Sequence, residues 1–310
     1  MTGDELPRWV GDPAAFRREH WRRRPAVLHP AHPPAAPMTL ADVDAALDSG
    51  LLRTPYLELA RAGATVPETA YTTSRTVAGE PVHGIADPAA LLAQLTRGAT
   101  LVLRNTEHWH RPTRALTERL QAELGRQVEA FYFVTPPGAQ GLDVHRDDAD
   151  VLLLQIAGRK RWRVHGGPPD GSWSPGEVAE PGPVLLEDTL RENEVLYIPR
   201  GFAHAAVGDQ GLSAHLSLTV REVGSQQLYR ALQGILLGEQ RLPARPTDDA
   251  ALLASGEAMI ERFRHGLATV TAAALLDTAR AAQRAAPAPA ATGHLTALAE
   301  QLATSGEQPR

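Results

Sequence analysis

The 310-residue sequence has no cysteine, only five each of Trp, Tyr and Phe, no surplus of positive charge and no long hydrophobic run. Zero cysteine excludes a disulfide scaffold, a zinc–thiolate site, an iron–sulfur cluster and a cysteine nucleophile together. Any bound metal must therefore be held by His, Asp or Glu. With 31 Lys+Arg against 36 Asp+Glu, the formal net charge of −5 argues against broad electrostatic binding of nucleic acid. No apolar stretch approaches the ~20 residues of a membrane span. The opening MTGDELPRWVGD lacks the charged-then-apolar pattern of a signal peptide. The expectation is a cytoplasmic protein without membrane contact, with enough chain for a large core.

The first 125 residues read as mixed and mostly helical. Asp12 and Pro13 open a helix over 14–23 that carries Phe16 and Trp21 on one broad apolar edge. The run Arg22-Arg23-Arg24 reads as a solvated helix end, because cations suit a helix C-terminus. Residues 30–37 (PAHPPAAP) form a linker. Helices are expected over 40–47 behind Thr39, over 89–95 behind Asp87-Pro88, and over 114–124 before Gly125. Leu101–Leu103 is a short strand. From Val128 the pattern changes to short strands rich in β-branched and aromatic residues, at 129–135, 150–157, 160–165, 183–189, 194–199 and 212–220. The intervening segments, including GFAHAAVGDQG, read as turns. Strands so spaced, with no long helices between them, predict a closed or sandwiched antiparallel barrel. Beyond Gly224 helices are expected at 226–238, 249–264 and 267–286, then a flexible tail from Pro287 and a last helix at 295–303.

Within the barrel, His145-Arg146-Asp147 follows the turn PPGAQG. Residues i and i+2 of a strand share a face, so His145 and Asp147 can address a common atom. His204 follows the strand and proline turn at Tyr197-Ile198-Pro199-Arg200-Gly201. Two histidines and a carboxylate on a rigid barrel match the facial triad of non-heme Fe(II), which leaves coordination positions for a bidentate 2-oxo acid and O2. Lys160 or Arg161 on the next strand offers a cation for the far carboxylate of such a co-substrate, and Thr219 a hydroxyl. Competing readings are a charged turn at Asp147, Asp148 and Asp150 with a core histidine at 204, or a zinc hydrolase using the same three ligands. The kinase string His-Arg-Asp drops out because no glycine-rich phosphate loop accompanies it.

The runs TPPGAQGLDVHRDDADVLLLQIAGRKRWRV (135–164), EVLYIPRGFAHAA (194–206) and SAHLSLTV (213–220) resemble the JmjC-type cupin oxygenases, most of all the ribosomal-oxygenase branch. Phe16, Trp21 and Pro25 match that branch's Phe-x4-Trp-x3-Pro helix. The resemblance implies a double-stranded β-helix (cupin/jelly-roll) barrel, mainly β with flanking helices, in a catalytic domain over 1–225. It implies a helical C-terminal region over 226–310, a dimerisation element too short for a complete winged helix. It makes His145, Asp147 and His204 the iron ligands, with Asp148 as rival ligand, and assigns Lys160 and Thr219 to 2-oxoglutarate. Phe131 stands where relatives often carry Asn, and Ala139 where Ser is common. The expected activity is Fe(II)/2-oxoglutarate-dependent hydroxylation, at the β-carbon of a His, Arg or Asp side chain in a peptide or protein. The substrate expected is a ribosomally made natural-product precursor peptide, with a ribosomal protein as the alternative and a non-catalytic metal-binding cupin scaffold as the further one. Arg146, Tyr132 and His215 are candidate substrate contacts, while Trp162 and Tyr197 read as packing. A homodimer is expected, with no direct nucleic-acid binding.

Overall fold

The computed structural model describes residues 4–237 and 245–285, together with 295, 296 and 298. Contacts divide the chain into two units, Met1–Gln226 and Gln227–Arg310. The first unit opens with α1 (Leu6–Val10), α2 (Pro13–Glu19), β1 (Ala26–Leu28) and α3 (Leu40–Asp48). Asp12 caps α2 by accepting from Ala14 N, and Thr39 with Asp42 forms a reciprocal capping box on α3. There follow β2 (Leu57–Arg61), β3 (Ala64–Thr65), β4 (Thr72–Val77), β5 (Glu80–Ala86), α4 (Pro88–Thr96), β6 (Thr100–Leu103) and α5 (Arg111–Leu124). The barrel strands are β7 (Val128–Thr135), β8 (His145–Arg146), β9 (Ala149–Ala157), β10 (Lys160–His165), β11 (Gly176–Glu177), β12 (Val184–Leu190), β13 (Val195–Ile198), β14 (His204–Gly208) and β15 (Ser213–Arg221).

These strands form an eight-stranded sheet of order β1-β13-β9-β15-β7-β6-β2-β3 and a five-stranded sheet of order β11-β8-β14-β10-β12. Period-two alternation separates the two faces of the large sheet. Even-numbered residues of β7, such as Ala130, Tyr132 and Val134, join Leu152, Leu154, Leu216 and Leu218 in a core shared with Trp9, Phe16, Leu116 and Leu120 of the helices. A smaller cluster of Val151, Leu153, Trp162, Val164, Leu190, Leu196 and Ile198 bridges the two sheets. Odd-numbered residues of β7 face the space between the sheets, where the cavity lies. The architecture is a double-stranded β-helix with flanking helices.

Several expectations are corrected. Residues 57–86, assigned no element of their own within a region expected to be mixed and mostly helical, hold four strands; the β4–β5 hairpin turns at Ala78 (φ 50°) and Gly79 (φ 87°), both left-handed. Asn-Gly or Asp-Gly is the usual signature of such a turn, and Ala-Gly conceals it. The stretch containing His204 is strand β14, not a turn. Helix α2 ends at Glu19, because the chain turns at Arg22 (φ 57°). Trp21 thus lies beyond the helix, stacked on Tyr197 with centroids 5.9 Å apart. Arg22 is no solvated helix end. Its Nε donates to Asp150 and its Nη2 to Glu222, two carboxylates buried in the sheet.

In the second unit, α6 (Ser225–Leu237), which starts in the first, is followed by α7 (Asp249–Thr269) and α8 (Ala272–Ala285). No strand occurs there among the described residues. The tail from Pro287 and most of the helix expected at 295–303 lie outside the described residues. No described helix is long and apolar enough to cross a membrane.

Candidate functional site

His145 and His204 are direct cross-strand partners, β8 against β14. Opposed residues of an antiparallel pair project to one face, which brings the rings to 4.4 Å between centroids. Asp147 follows two residues after His145, and its carbonyl accepts from Gly201 N at 3.0 Å. One donor atom from each of His145, Asp147 and His204 lies within 4.8 Å of the others. Both rings are oriented from behind. His145 Nδ1 lies 2.7 Å from the Asp143 carbonyl, and His204 Nδ1 3.0 Å from that of Phe202. A carbonyl only accepts, so each Nδ1 carries a proton and the neutral ring keeps its lone pair on Nε2. The Nε2 atoms point at the Asp147 carboxylate, 3.9 Å and 3.6 Å from its oxygens. Burial, reinforced by the neighbouring His145, pushes His204 down to about 4, so its ring is neutral at pH 7.

Arg146 projects the other way. Its Nη1 donates to the carbonyls of Gly166 and Gly201, tying the loop before His204 to the His145 strand. It thus holds loops together and does not line the cavity. Asp148, the rival ligand, accepts from Arg200 Nε at 2.6 Å and stands outside the cluster.

The three residues border a cavity of about 240 Å³ between the sheets. At its deep end Lys160 is 5 % exposed, with Nζ donating to Thr135 Oγ1 at 2.9 Å. Thr100 Oγ1 donates in turn to the same hydroxyl at 3.1 Å. No carboxylate pairs with Lys160 among the described residues, and burial alone pushes it down to about 7. A buried cation without a counter-ion is costly unless an anion arrives. Arg161, the alternative, faces outward on the same strand.

Thr219 is not brought to Lys160. The register sets Ser213 opposite Thr135 but Thr219 opposite Glu129. Six residues along β15, at ~3.3 Å each, separate Thr219 by about 20 Å from Ser213, the residue opposite the threonine that holds Lys160 Nζ. Thr219 does line the cavity, its hydroxyl 3.5 Å from Glu129 Oε2. Thr135 and Thr100 supply the hydroxyls beside Lys160 instead. Tyr132 is also displaced: it is fully buried on the helix-packed face, while Phe131 and Phe133 line the cavity. His215 does line it. Ala139 is buried in the turn after β7 and does not line it, whereas Thr219 shares the mouth with the ion pairs Arg104–Glu58 and Arg221–Glu129. Sequence reading missed Thr100, Glu58 and Arg104, because β2 and β6 were not recognised as barrel neighbours. One signal was available: Lys160 is the only lysine in the sequence.

Residues 107–228 match the family described as JmjC domain. Ribosomal oxygenase 1 of Gallus gallus is 34% identical over 213 residues, covering 65% of this chain and 34% of that protein. The bifunctional lysine-specific demethylase and histidyl-hydroxylase NO66 of Drosophila simulans is 30% identical over 165 residues, covering 50% of this chain and 19% of its own. The chain thus spans about a third or less of the length of these curated relatives. Among solved structures, the ribosomal oxygenase YcfD from Escherichia coli in complex with cobalt and 2-oxoglutarate superposes with a TM-score of 0.52. The identity is 19%, over 82% of this chain and 69% of that one. This likeness is one of fold.

Proposed function

We propose that this chain, whose residues 107–228 form a JmjC domain on a cupin fold, is an Fe(II)- and 2-oxoglutarate-dependent hydroxylase of an amino-acid side chain in a peptide or protein. The observation that carries the reading is a His-Asp-His cluster and a buried, unpaired lysine lining one cavity. The donor set is hard, two imidazoles and one carboxylate, and contains no thiolate. It fits a facial Fe(II) site with open positions, and YcfD, of like fold, is described with cobalt and 2-oxoglutarate. When bound, the iron and 2-oxoglutarate activate O2 for insertion of one oxygen atom into a C–H bond, with release of succinate and CO2.

The Asp143 and Phe202 carbonyls hold the Nδ1 side of His145 and His204 and so aim each Nε2 at the metal position, and little reorganisation accompanies metal binding. Asp147 supplies the anionic donor. Lys160, in its protonated form, neutralises the distal carboxylate of 2-oxoglutarate, with Thr135 holding Nζ in place. Phe131, Phe133, Val151 and Ile198 line the space with apolar surface and keep bulk water from the reacting centre.

A small precursor peptide of ribosomal origin is the substrate class favoured here, with oxidation at the β-carbon of His, Arg or Asp. Supporting it is the acidic balance of the chain, 36 Asp+Glu against 31 Lys+Arg. A ribosomal protein is the second reading, favoured by the similarity to ribosomal oxygenase 1. Neither reading requires nucleic-acid contact, and both suit a cytoplasmic homodimer. A non-catalytic scaffold is disfavoured, since loss of catalysis would release Asp147 or Lys160 from their constraint.

The test is to load anaerobically purified protein with Fe(II) and 2-oxoglutarate, admit O2 and quantify succinate. Turnover is expected, stimulated by substrate and abolished by His145→Ala or Asp147→Ala. Turnover indifferent to both substitutions refutes the assignment. Mass spectrometry of candidate peptides and of ribosomal proteins, each searched for the gain of one oxygen, separates the two substrate classes.

A further inference from the structure

We propose that His215 is a second receiving group for the distal carboxylate of 2-oxoglutarate, donating a ring N–H to it beside Lys160. The proposal rests on the co-substrate reading above. His215 lies on β15 opposite Phe133 of β7. Their rings stack with centroids 4.7 Å apart and planes 3° from parallel. Trp162 of β10 closes the second side of the imidazole edge-on at 5.4 Å. Lys160 Nζ lies 5.8 Å from the Phe133 centroid and 5.7 Å from that of Trp162. Imidazole, indole, phenyl ring and ammonium therefore share one corner of the cavity.

Two features point to a ligand rather than to packing. His215 is 2 % exposed and its Nδ1 is buried without a partner, as is Trp162 Nε1 beside it. Native interiors pair nearly all such groups, so two orphans on adjoining rings that line the cavity point to an absent polar ligand. A ring needed only to stack on Phe133 would be served by phenylalanine, which buries no polar atom. The charge logic agrees. Burial and the adjacent Lys160 hold His215 well below its ordinary value, so the ring is a neutral donor and does not repel the lysine. Lys160 gives one N–H to Thr135 and keeps two for a carboxylate. One carboxylate oxygen then faces the ammonium and the other the imidazole N–H. Phe133 and Trp162 fix the ring plane, so little freedom is lost when the ligand arrives.

The experiment is anaerobic calorimetry on the full-length protein loaded with Mn(II), titrated with 2-oxoglutarate and, separately, with oxalate. Oxalate chelates the metal through both of its carboxylates and has none left to reach the lysine corner. His215→Phe is expected to weaken 2-oxoglutarate about 10- to 100-fold, the loss of one hydrogen bond to a charged acceptor. Oxalate is expected to bind His215→Phe as it binds the wild type, and His215→Gln, which restores an N–H, to regain part of the lost affinity. Wild-type affinity for 2-oxoglutarate in His215→Phe overturns the proposal, and so does an equal loss for both ligands, which signals a distorted metal site. A wild type that binds Mn(II) but not 2-oxoglutarate removes the functional reading itself. Should His215→Phe not fold, ring 15N resonances of the Zn(II)-loaded wild type decide. His215 is expected to shift with 2-oxoglutarate and not with oxalate, and a His215 resonance that ignores 2-oxoglutarate overturns the proposal.

Discussion

Arg22 offers a quantitative test of how the N-terminal segment is tied to the barrel. Its Nε donates to Asp150 at 3.1 Å and its Nη2 to Glu222 at 2.8 Å. Asp150 is fully buried and also accepts from Tyr197 Oη at 2.7 Å and Arg200 N at 3.2 Å, at the start of the loop leading to His204. Removing one partner of a buried ion pair costs about 3–5 kcal/mol. The Arg22 side chain is 34% exposed, and Glu222 keeps a contact from Arg126, so water and a second cation absorb part of that cost. Arg22→Leu is therefore expected to destabilise the first unit by about 2–3 kcal/mol, a fall in Tm of roughly 4–12 °C. Calorimetry or urea unfolding followed through Trp21, stacked on Tyr197, reads this directly. A double-mutant cycle with Asp150→Asn should return a coupling of about 1–2 kcal/mol. A loss and a coupling both under about 0.5 kcal/mol would mean that Arg22 behaves as a solvated helix end, and the reasoning would fail.

Lys160, held near 7 by burial, carries its charge below that pH and is neutral above it in the free protein. Binding a dianion above pH 7 must then take up a proton, so 2-oxoglutarate affinity is expected to fall by up to about tenfold per pH unit between 7 and 9. A flat calorimetric profile contradicts this. Its folded-state value lies below the unfolded one, so without ligand the unfolded chain binds more protons between about 7 and 10. Lys160 accordingly contributes a rise in stability with pH across that window, checked by unfolding of wild type against Lys160→Met. As Lys160 is the only lysine, an amine-directed reagent at pH 8 should label one side chain besides the N-terminus. Mn(II) with 2-oxoglutarate should block that labelling, and labelling indifferent to the ligand refutes the placement. Tyr132→Phe removes a buried hydroxyl that has no partner. It should leave 2-oxoglutarate affinity unchanged and stability within about 1 kcal/mol of wild type or above it; a tenfold loss of affinity would restore Tyr132 as a cavity residue.

The parts of the molecule legible in the sequence are those set by local rules. Asp12, Thr39 and Asp87 cap helices because a short polar side chain satisfies orphan N–H groups wherever it precedes an apolar period. The strands from Val128 to Val220 showed themselves through alternation and glycine turns. His145 and Asp147, two residues apart, were visible as a pair for the same reason. What stayed hidden depended on pairing between distant strands. Thr219 looked like a partner for Lys160 because both lie on barrel strands. Only the register of β15 on β7, Ser213 against Thr135 and Thr219 against Glu129, shows that Thr219 is paired away from the threonine that holds Lys160. Tyr132 was assigned to the wrong face by one residue, and a one-residue error inverts every side chain on a strand.

Lys160 shows how composition and geometry combine where neither suffices. Of the 31 Lys+Arg residues, 30 are arginine. Arginine's planar fork needs several acceptors around it, and such a head at the deep end would displace Thr135 and crowd Phe133 and Trp162. A slender ammonium with one hydroxyl partner leaves room for a carboxylate of matching size. It can also shed its charge when the site is empty, which an arginine cannot do. The departure from arginine at this one position is thus accounted for by a site that must be neutral when empty and cationic when filled. His215 fits the same requirement, because a ring kept neutral beside Lys160 adds a donor without adding charge. The two residues make a joint demand on the ligand, an anion with two acceptor oxygens at its end, and Phe133 and Trp162 keep the rest of that corner apolar.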